Sequence, residues 1–361
     1  MLPQKLGLDV IVEQSTGNLV TVEINGEDSG YDGLTSLGVN LSDRILQIMG
    51  SALRGQHILV NPGSAVIDKN QIGKLSGEFG ISAVFSPLVN RHVKRKVLET
   101  ILGTSLEDFA GLVGFRAYLL DSKLDIKMIN LPAVELVTQD KLLQYELLKD
   151  IEVLNLPQSW FFSESAFPTF LDELLGHYGI LVKKERHGSQ GHGVTVVKGD
   201  KSHTPAIVRM AQFAHKLNPE SAKKLDRRLM EIEETGVLIQ RFVDTQPIIY
   251  KKTGQPHFGR ARLIWFGEYL GGYWALSAKP VGDNMPSNAI VNFSRSHLSQ
   301  EFTPKEAKMF GEYAEQVVPL VLQRLSQYTG RTGEYKRIEE RAMREAILKR
   351  PTIDVVSQQS R

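Results

Sequence analysis

The sequence predicts an α/β protein with separate α+β lobes, and three observations carry that reading. From Gln56 to Pro132, β-rich and helical stretches alternate, the texture of a small Rossmann-like unit around a mostly parallel sheet. Between residues 180 and 197, two β-rich runs flank a loop with glycines at 188, 191 and 193. Further on, β-rich stretches at 236–243, 260–267 and 272–278 precede a long helical segment from Thr303 to Tyr328.

The elements follow in order from residue chemistry. Asp9-Val-Ile-Val-Glu13 and Leu19-Val-Thr-Val-Glu-Ile24 are β-branched runs around the turn Ser15-Thr-Gly-Asn18, which predicts a hairpin. A glycine-rich loop (Gly26, Gly30, Gly33) leads to a helix over 42–53. His57-Ile-Leu-Val-Asn61 and Ile81-Ser-Ala-Val-Phe85 read as buried strands, and 91–102 and 105–113 read as helices. Apolar residues at 142, 143, 147, 148 and 151 space a helix over 139–153, stopped by Asn155-Leu-Pro157. A strand at 159–163, a helix at 167–177 and a charged helix at 219–235 come next. Thr303-Pro-Lys-Glu306 is a threonine N-cap with proline at the first helical position. The last thirty residues read as a charged helix and a polar tail.

Composition narrows the function classes. A chain of 361 residues exceeds one ordinary domain. A net charge of +2 does not suggest a surface built to neutralise many phosphates, although it leaves room for local basic patches, so nucleic acid is not an expected partner. With no cysteine, disulfides, thiolate metal sites and thiol nucleophiles are excluded. The N-terminus meets polar residues too early for a signal peptide, and no apolar run approaches the roughly 20 residues that span a bilayer. The expectation is a cytoplasmic protein with no membrane partner.

The sharpest local feature is Ile180-Leu-Val-Lys-Lys-Glu-Arg-His-Gly-Ser-Gln-Gly-His-Gly-Val194. Gly188, Gly191 and Gly193, with Ser189, let backbone N–H groups approach a phosphate closely, and Lys183 supplies a point charge beside them. Walker and dinucleotide loops open a helix, whereas a strand follows here. A ligand-free glycine-rich hairpin has the same pattern. His187 and His192 have no partner at metal-ligand spacing.

The loop resembles the small-lobe flap of the ATP-grasp superfamily, with Lys184 where proline is usual. Three further stretches resemble that family in the expected order. Thr138-Gln-Asp-Lys141 before an amphipathic helix and Leu156-Pro157 resembles its Asp-Lys element, which gives Lys141 a phosphate contact. Gly236-Val-Leu-Ile-Gln-Arg-Phe-Val-Asp244 resembles the hinge strand that reads adenine, with Gln240 in place of glutamate and Phe242, Val243 and Asp244 beside base and ribose. Gly259-Arg-Ala-Arg-Leu-Ile-Trp-Phe-Gly267, Lys279 and the loop to Asn288 resemble the catalytic stretch, in which Arg262, Lys279 and Asn288 would face the transferred phosphoryl group.

The family's metal carboxylates usually follow the long helix, and residues 329–361 contain no such pattern. The pattern stands at the N-terminus, where Asp9, Glu23 and Asn25 fall on two antiparallel strands and would hold Mg²⁺. The chain therefore reads as a circularly permuted ATP-grasp fold. Residues 1–50 are the metal-binding segment, 51–137 the pre-ATP-grasp domain, 138–330 the ATP-grasp lobes and 331–361 a helix and tail. The resemblance implies ATP and Mg²⁺ as cofactors and a ligase that joins a small-molecule or peptide carboxylate to an amine (or thiol) through an acyl-phosphate. A kinase without ligation and an inactive nucleotide-binding module remain open. So does a homo-oligomer.

Overall fold

The computed structural model describes residues 3–26, 30–60, 69–85, 99–100, 103–105, 108, 111–113, 134, 137–138, 140–162, 167–186, 194–198, 237–282, 298–328 and 332–348. The expected helix at 219–235, the helical stretch at 91–98, and Gly188, Ser189, Gly191, Gly193 and Asn288 lie outside these residues.

The larger sheet has five antiparallel strands. The N-terminal hairpin is Lys5–Val12 (β1) and Leu19–Asn25 (β2), and β1 pairs on its other side with Gly259–Phe266. Tyr269–Leu276 and Leu298–Glu301 complete the sheet. The interior position of β1 follows from its sequence. Leu6, Leu8 and Val10 are fully buried on one face, against the long helix Pro304–Ser326. Lys5, Gly7 and Asp9 fall on the other face. The helix opens with the expected threonine N-cap, and the structure adds a capping box. Glu306 N–H donates to the Thr303 hydroxyl at 3.3 Å, and Thr303 N–H donates to the Glu306 carboxylate at 2.7 Å.

The small unit has the expected parallel sheet. His57–Val60 (β3) lies between Ser82–Phe85 (β4) and Gly111–Val113 (β5). Residues 111–113 form a strand, where apolar spacing over 105–113 suggested helix. Leu112 and Val113 continue the pairing of β3, and a three-residue apolar run does not distinguish a short buried strand from a helix turn. Helices Tyr31–Ser36 (α1), Ser42–Leu53 (α2) and Lys69–Phe79 (α3) join this unit to the larger sheet. Ile45, Leu46 and Met49 of α2 and Leu75 of α3 share one core with Ile264, Phe266 and Tyr273.

The second sheet has strand order Ser159–Phe162 (β6), Val237–Arg241 (β9), Ile180–Glu185 (β7) and Val194–Lys198 (β8). One face buries Trp160, Phe162, Leu181 and Ile239 against Leu171, Leu174 and Leu175 of Phe167–Tyr178 (α5). The other face looks across a cleft at β1, β2 and β12 (Gly259–Phe266). Helix Lys141–Leu148 (α4) closes one side of that cleft. The C-terminal helix Thr332–Leu348 (α7) packs on α4 and β6, with Ala342 beside Leu142 and Phe161. Counting in chain order, the long helix is α6, and the remaining strands are β10 (Ile248–Ile249), β11 (Pro256–His257), β13 (Tyr269–Leu276) and β14 (Leu298–Glu301).

Candidate functional site

The two sheets enclose a cleft of about 860 Å³, including its solvent-open part. Its lining is part apolar and part charged. Ile11, Val182, Val194, Val196, Phe242, Val243 and Phe258 make the apolar part, with Arg241 also in the wall and Val194 directly opposite Lys184 in its sheet. Lys184, Arg260 and Glu23 make the charged part, and a smaller adjoining cavity of about 310 Å³ adds Lys141 and Gln144.

The charged region is built on the hairpin. In β1–β2 the register shifts after Asp9, so Asp9 opposes Glu23 while Val10 opposes Thr21, and Val22 is left as a bulge. The bulge turns Thr21 to the helix side, where its hydroxyl bonds to that of Tyr313 at 2.7 Å. Val22 and Glu23 both face the cleft. The Val22 carbonyl accepts a 3.0 Å hydrogen bond from Lys184 Nζ, which ties the two sheets together. At the other end of the hairpin, Glu13 meets Arg241 at 2.9 Å.

Arg260 and Arg262 are two apart on β12 and project to the same side. Asp9 opposes Arg262 in register and is fully buried. Arg262 grips both Asp9 oxygens, Nε on Oδ1 and an η nitrogen on Oδ2 at 2.9 Å. Arg260 reaches Oδ2 at 2.9 Å, and the Asn25 amide nitrogen lies 3.3 Å from the same oxygen. Burial opposes the charge on Arg262, but the Asp9 carboxylate outweighs it and raises the guanidinium's pKa. Glu23, 27% exposed, lies 3.8 Å from Lys141 and 3.9 Å from Arg260. Lys184 is 8% exposed, and burial pulls its pKa down to about 8, against Glu23 and with the help of Lys141 and Arg260.

Two glycines bring α1 onto this cluster. Gly30 has φ +78°, its carbonyl accepts from the Tyr273 hydroxyl at 3.1 Å, and a Cβ there would lie 2.9 Å from Arg262. At Gly33 a Cβ would lie 2.0 Å from the Tyr273 ring. Only a residue without a side chain allows so close an approach.

The sequence-derived residues fall into three groups. Asp9, Glu23, Asn25, Lys141, Arg262 and Gln240 come together, and Phe242 and Val243 line the apolar region. The Gln240 amide nitrogen donates to Ser159 Oγ at 3.1 Å, which turns its oxygen into the available acceptor. Lys183 does not face the cleft. It opposes Ile239 on the side that packs against α5, and the adjacent Lys184 takes the position beside Glu23. Asp244 is exposed, and its carbonyl accepts from Gln14 N–H at 2.9 Å. Lys279 is exposed past β13 and is not among the cleft-lining residues. Sequence reasoning missed Lys184. Adjacent lysines on a strand must point to opposite faces, so one of the pair had to be in the cleft.

The expected Mg²⁺ set is incomplete as built. Both Asp9 oxygens are engaged by guanidinium groups, and Asn25 turns its nitrogen toward them. No group of three or more Asp, Glu or His side chains positioned for a metal occurs among the described residues. Glu23 is the carboxylate facing the cleft. One carboxylate with phosphate oxygens suits Mg²⁺, which keeps much of its water.

No family model and no curated protein matches the sequence. Solved structures do. The fold is similar to a protein assigned as a gamma-glutamylcysteine synthetase from Methylobacillus flagellatus KT, with 13% identity, 90% of each chain covered and a TM-score of 0.47. It is similar to a D-alanine–D-alanine ligase from Bacillus anthracis, with 14% identity, 75% of this chain and 79% of that one covered, and a TM-score of 0.37. An N5-carboxyaminoimidazole ribonucleotide synthetase from Thermotoga maritima has 13% identity, with 74% of this chain and 61% of that one covered, and a TM-score of 0.38. A RimK domain ATP-grasp protein from Sphaerobacter thermophilus DSM 20745 is also similar, with 13% identity, 74% of this chain and 99% of that one covered, and a TM-score of 0.31. Among the described residues no helix is long and apolar enough to cross a membrane.

Proposed function

We propose that the chain is an ATP-dependent ligase of the ATP-grasp type, which activates a carboxylate by phosphorylation for attack by an amine. The observation that carries this reading is the polarity of the cleft. An apolar slot fits a planar base, and it runs into a region where Lys141, Lys184, Arg260 and Arg262 outnumber Asp9 and Glu23. That excess of positive charge suits a polyphosphate. The Gln240 oxygen at the slot would accept from an exocyclic amine, which favours adenine.

In this reading Lys184 and Lys141 hold the phosphate chain, and Arg260 and Arg262 stabilise the charge that grows on the transferred group. The carboxylate oxygen of the substrate attacks the γ-phosphorus and ADP leaves. An amine then attacks the acyl carbon, inorganic phosphate leaves, and the amine gives up a proton. Fixed cations in a water-poor cleft stabilise such charge because they need no reorganisation, and losing one costs about 3 kcal/mol. Asp9 holds the two arginines in place. Mg²⁺ bound through Glu23 and phosphate oxygens would neutralise charge on the transferred group. The hairpin's place between β12 and α6 supports the permuted reading, in which the chain start supplies strands that the family places after the long helix.

Calorimetric titration with ATP, with and without Mg²⁺, tests the proposal in the wild type and in Glu23→Ala. Binding in the wild type, with the metal-dependent part lost in Glu23→Ala, is expected. A screen for ADP release with carboxylates, each with and without amines, then separates ligase from kinase. No ATP binding by the wild type refutes the proposal.

A further inference from the structure

Arg186 lies outside the cleft, yet it is the centre of the most deeply buried ion pair among the described residues. Both it and Asp140 are about 2% exposed. Its Nε lies 3.1 and 3.0 Å from the two Asp140 oxygens. Its backbone carbonyl accepts from Lys141 N–H at 3.0 Å. Asp140 is the N-cap of α4, and its Oδ1 accepts from Leu142 and Leu143 N–H at 3.0 and 3.1 Å. One residue therefore fixes both the cap of α4 and the backbone of the lysine that follows it.

The guanidinium has further contacts among the described residues. It lies over the Phe161 ring at 5.5 Å, and an η nitrogen is 3.6 Å from Glu339 of α7. Helix α7 is fastened to α4 a second time. Lys149 reaches Glu345 at 2.8 Å and Glu146 at 2.9 Å, and Arg341 reaches Glu146 at 3.2 Å. The C-terminal helix thus braces α4 at both ends, while Lys141 reaches across to Glu23 from the first turn of α4.

We infer that Arg186 is a positioning residue, which, with Glu339 of the C-terminal helix, sets Lys141 against the phosphate-binding region of the cleft. This rests on the nucleotide reading above, and it adds a role for a helix outside the ATP-grasp resemblance. A buried charge pair alone is weak evidence for stability, because desolvation offsets much of its Coulomb gain. Its geometric rigidity is the better account of a pair that holds a lysine's backbone and cap together.

The test is a double-mutant cycle on ATP affinity with Arg186→Gln, Lys141→Ala and the double variant, together with hydrogen exchange at amides 141–143. Arg186→Gln is expected to weaken ATP binding about tenfold in the wild-type background and to leave Lys141→Ala unchanged. It should also speed exchange at 141–143. Glu339→Gln, which keeps the Asp140 pair, is expected to do the same to a smaller extent, and it serves if Arg186→Gln does not fold. Equal loss of affinity in both backgrounds, or unchanged affinity and exchange, overturns the inference. If the wild type binds no ATP, the proposed function fails, and the exchange at 141–143 still decides whether Arg186 holds Lys141.

Discussion

Replacing Lys184 by methionine should make the protein more stable and a worse ligand binder at once. The side chain is buried between the sheets, and its pKa falls from 10.5 to about 8. That shift corresponds to about 3 kcal/mol of cost for keeping the charge in the folded state. Against it stands one hydrogen bond to the Val22 carbonyl, worth about 1–2 kcal/mol. Methionine keeps the apolar stem and removes the charge, so a net gain of about 1–2 kcal/mol is expected at pH 7. The sign depends on pH. Above about 10.5 neither state carries the proton and the penalty is absent. It grows as pH falls, because the unfolded chain takes up the proton first, and it is complete below about pH 8. Scanning calorimetry should therefore show a higher Tm for Lys184→Met at pH 7 and a gap that closes toward pH 10. ATP affinity should fall by one to two orders of magnitude, the loss of a charge-assisted contact. A variant with an unchanged or lower Tm at pH 7 that binds ATP like the wild type would refute the placement of Lys184.

Other consequences can be checked separately. In the wild type, ATP affinity should decline as pH rises through about 8, where Lys184 loses its proton, and a profile flat to pH 9.5 would remove it from the phosphate contacts. Asp9→Asn leaves two guanidinium groups without their buried carboxylate and should cost about 3–5 kcal/mol in denaturant unfolding, whereas the part-exposed Glu23→Gln should cost under about 1. Gly33→Ala places a Cβ on the Tyr273 ring, and a destabilisation of about 1–3 kcal/mol with weaker ATP binding is expected. Gln144→Ala removes two bonds to Ile24, one to N–H at 2.8 Å and one to C=O at 2.7 Å, and should lower Tm and expose the β2 edge to exchange.

The N-terminal hairpin was legible because β-branched runs and the Ser15–Asn18 turn agree, and the strands form with Asp9 opposite Glu23. The cap of α6 was legible for the same reason, since Thr303, Pro304 and Glu306 act locally. Arg260 and Arg262 were readable as a pair sharing one face. The choice between Lys183 and Lys184 was not, because it depends on which face of β7 meets the other sheet. Nor was the capture of Asp9. A carboxylate on β1 and arginines on β12 are about 250 positions apart in the chain, and only the sheet order makes them neighbours. The Arg186–Asp140 pair was hidden for that reason too, since it joins the end of β7 to the cap of α4.

The extra residue in β2 makes this site sensitive to the length of the hairpin as well as to its composition. With Val22 removed, the strand could pair regularly, and Thr21 and Glu23, then adjacent, would keep the opposite faces they occupy now. What would be lost is the Val22 carbonyl, the acceptor through which Lys184 of the other sheet holds the hairpin. Substitutions at Val22 that keep its backbone would leave Glu23 and the carbonyl beneath Lys184 in place. Lineages of this protein should therefore tolerate exchange of the side chain at position 22 far better than its deletion.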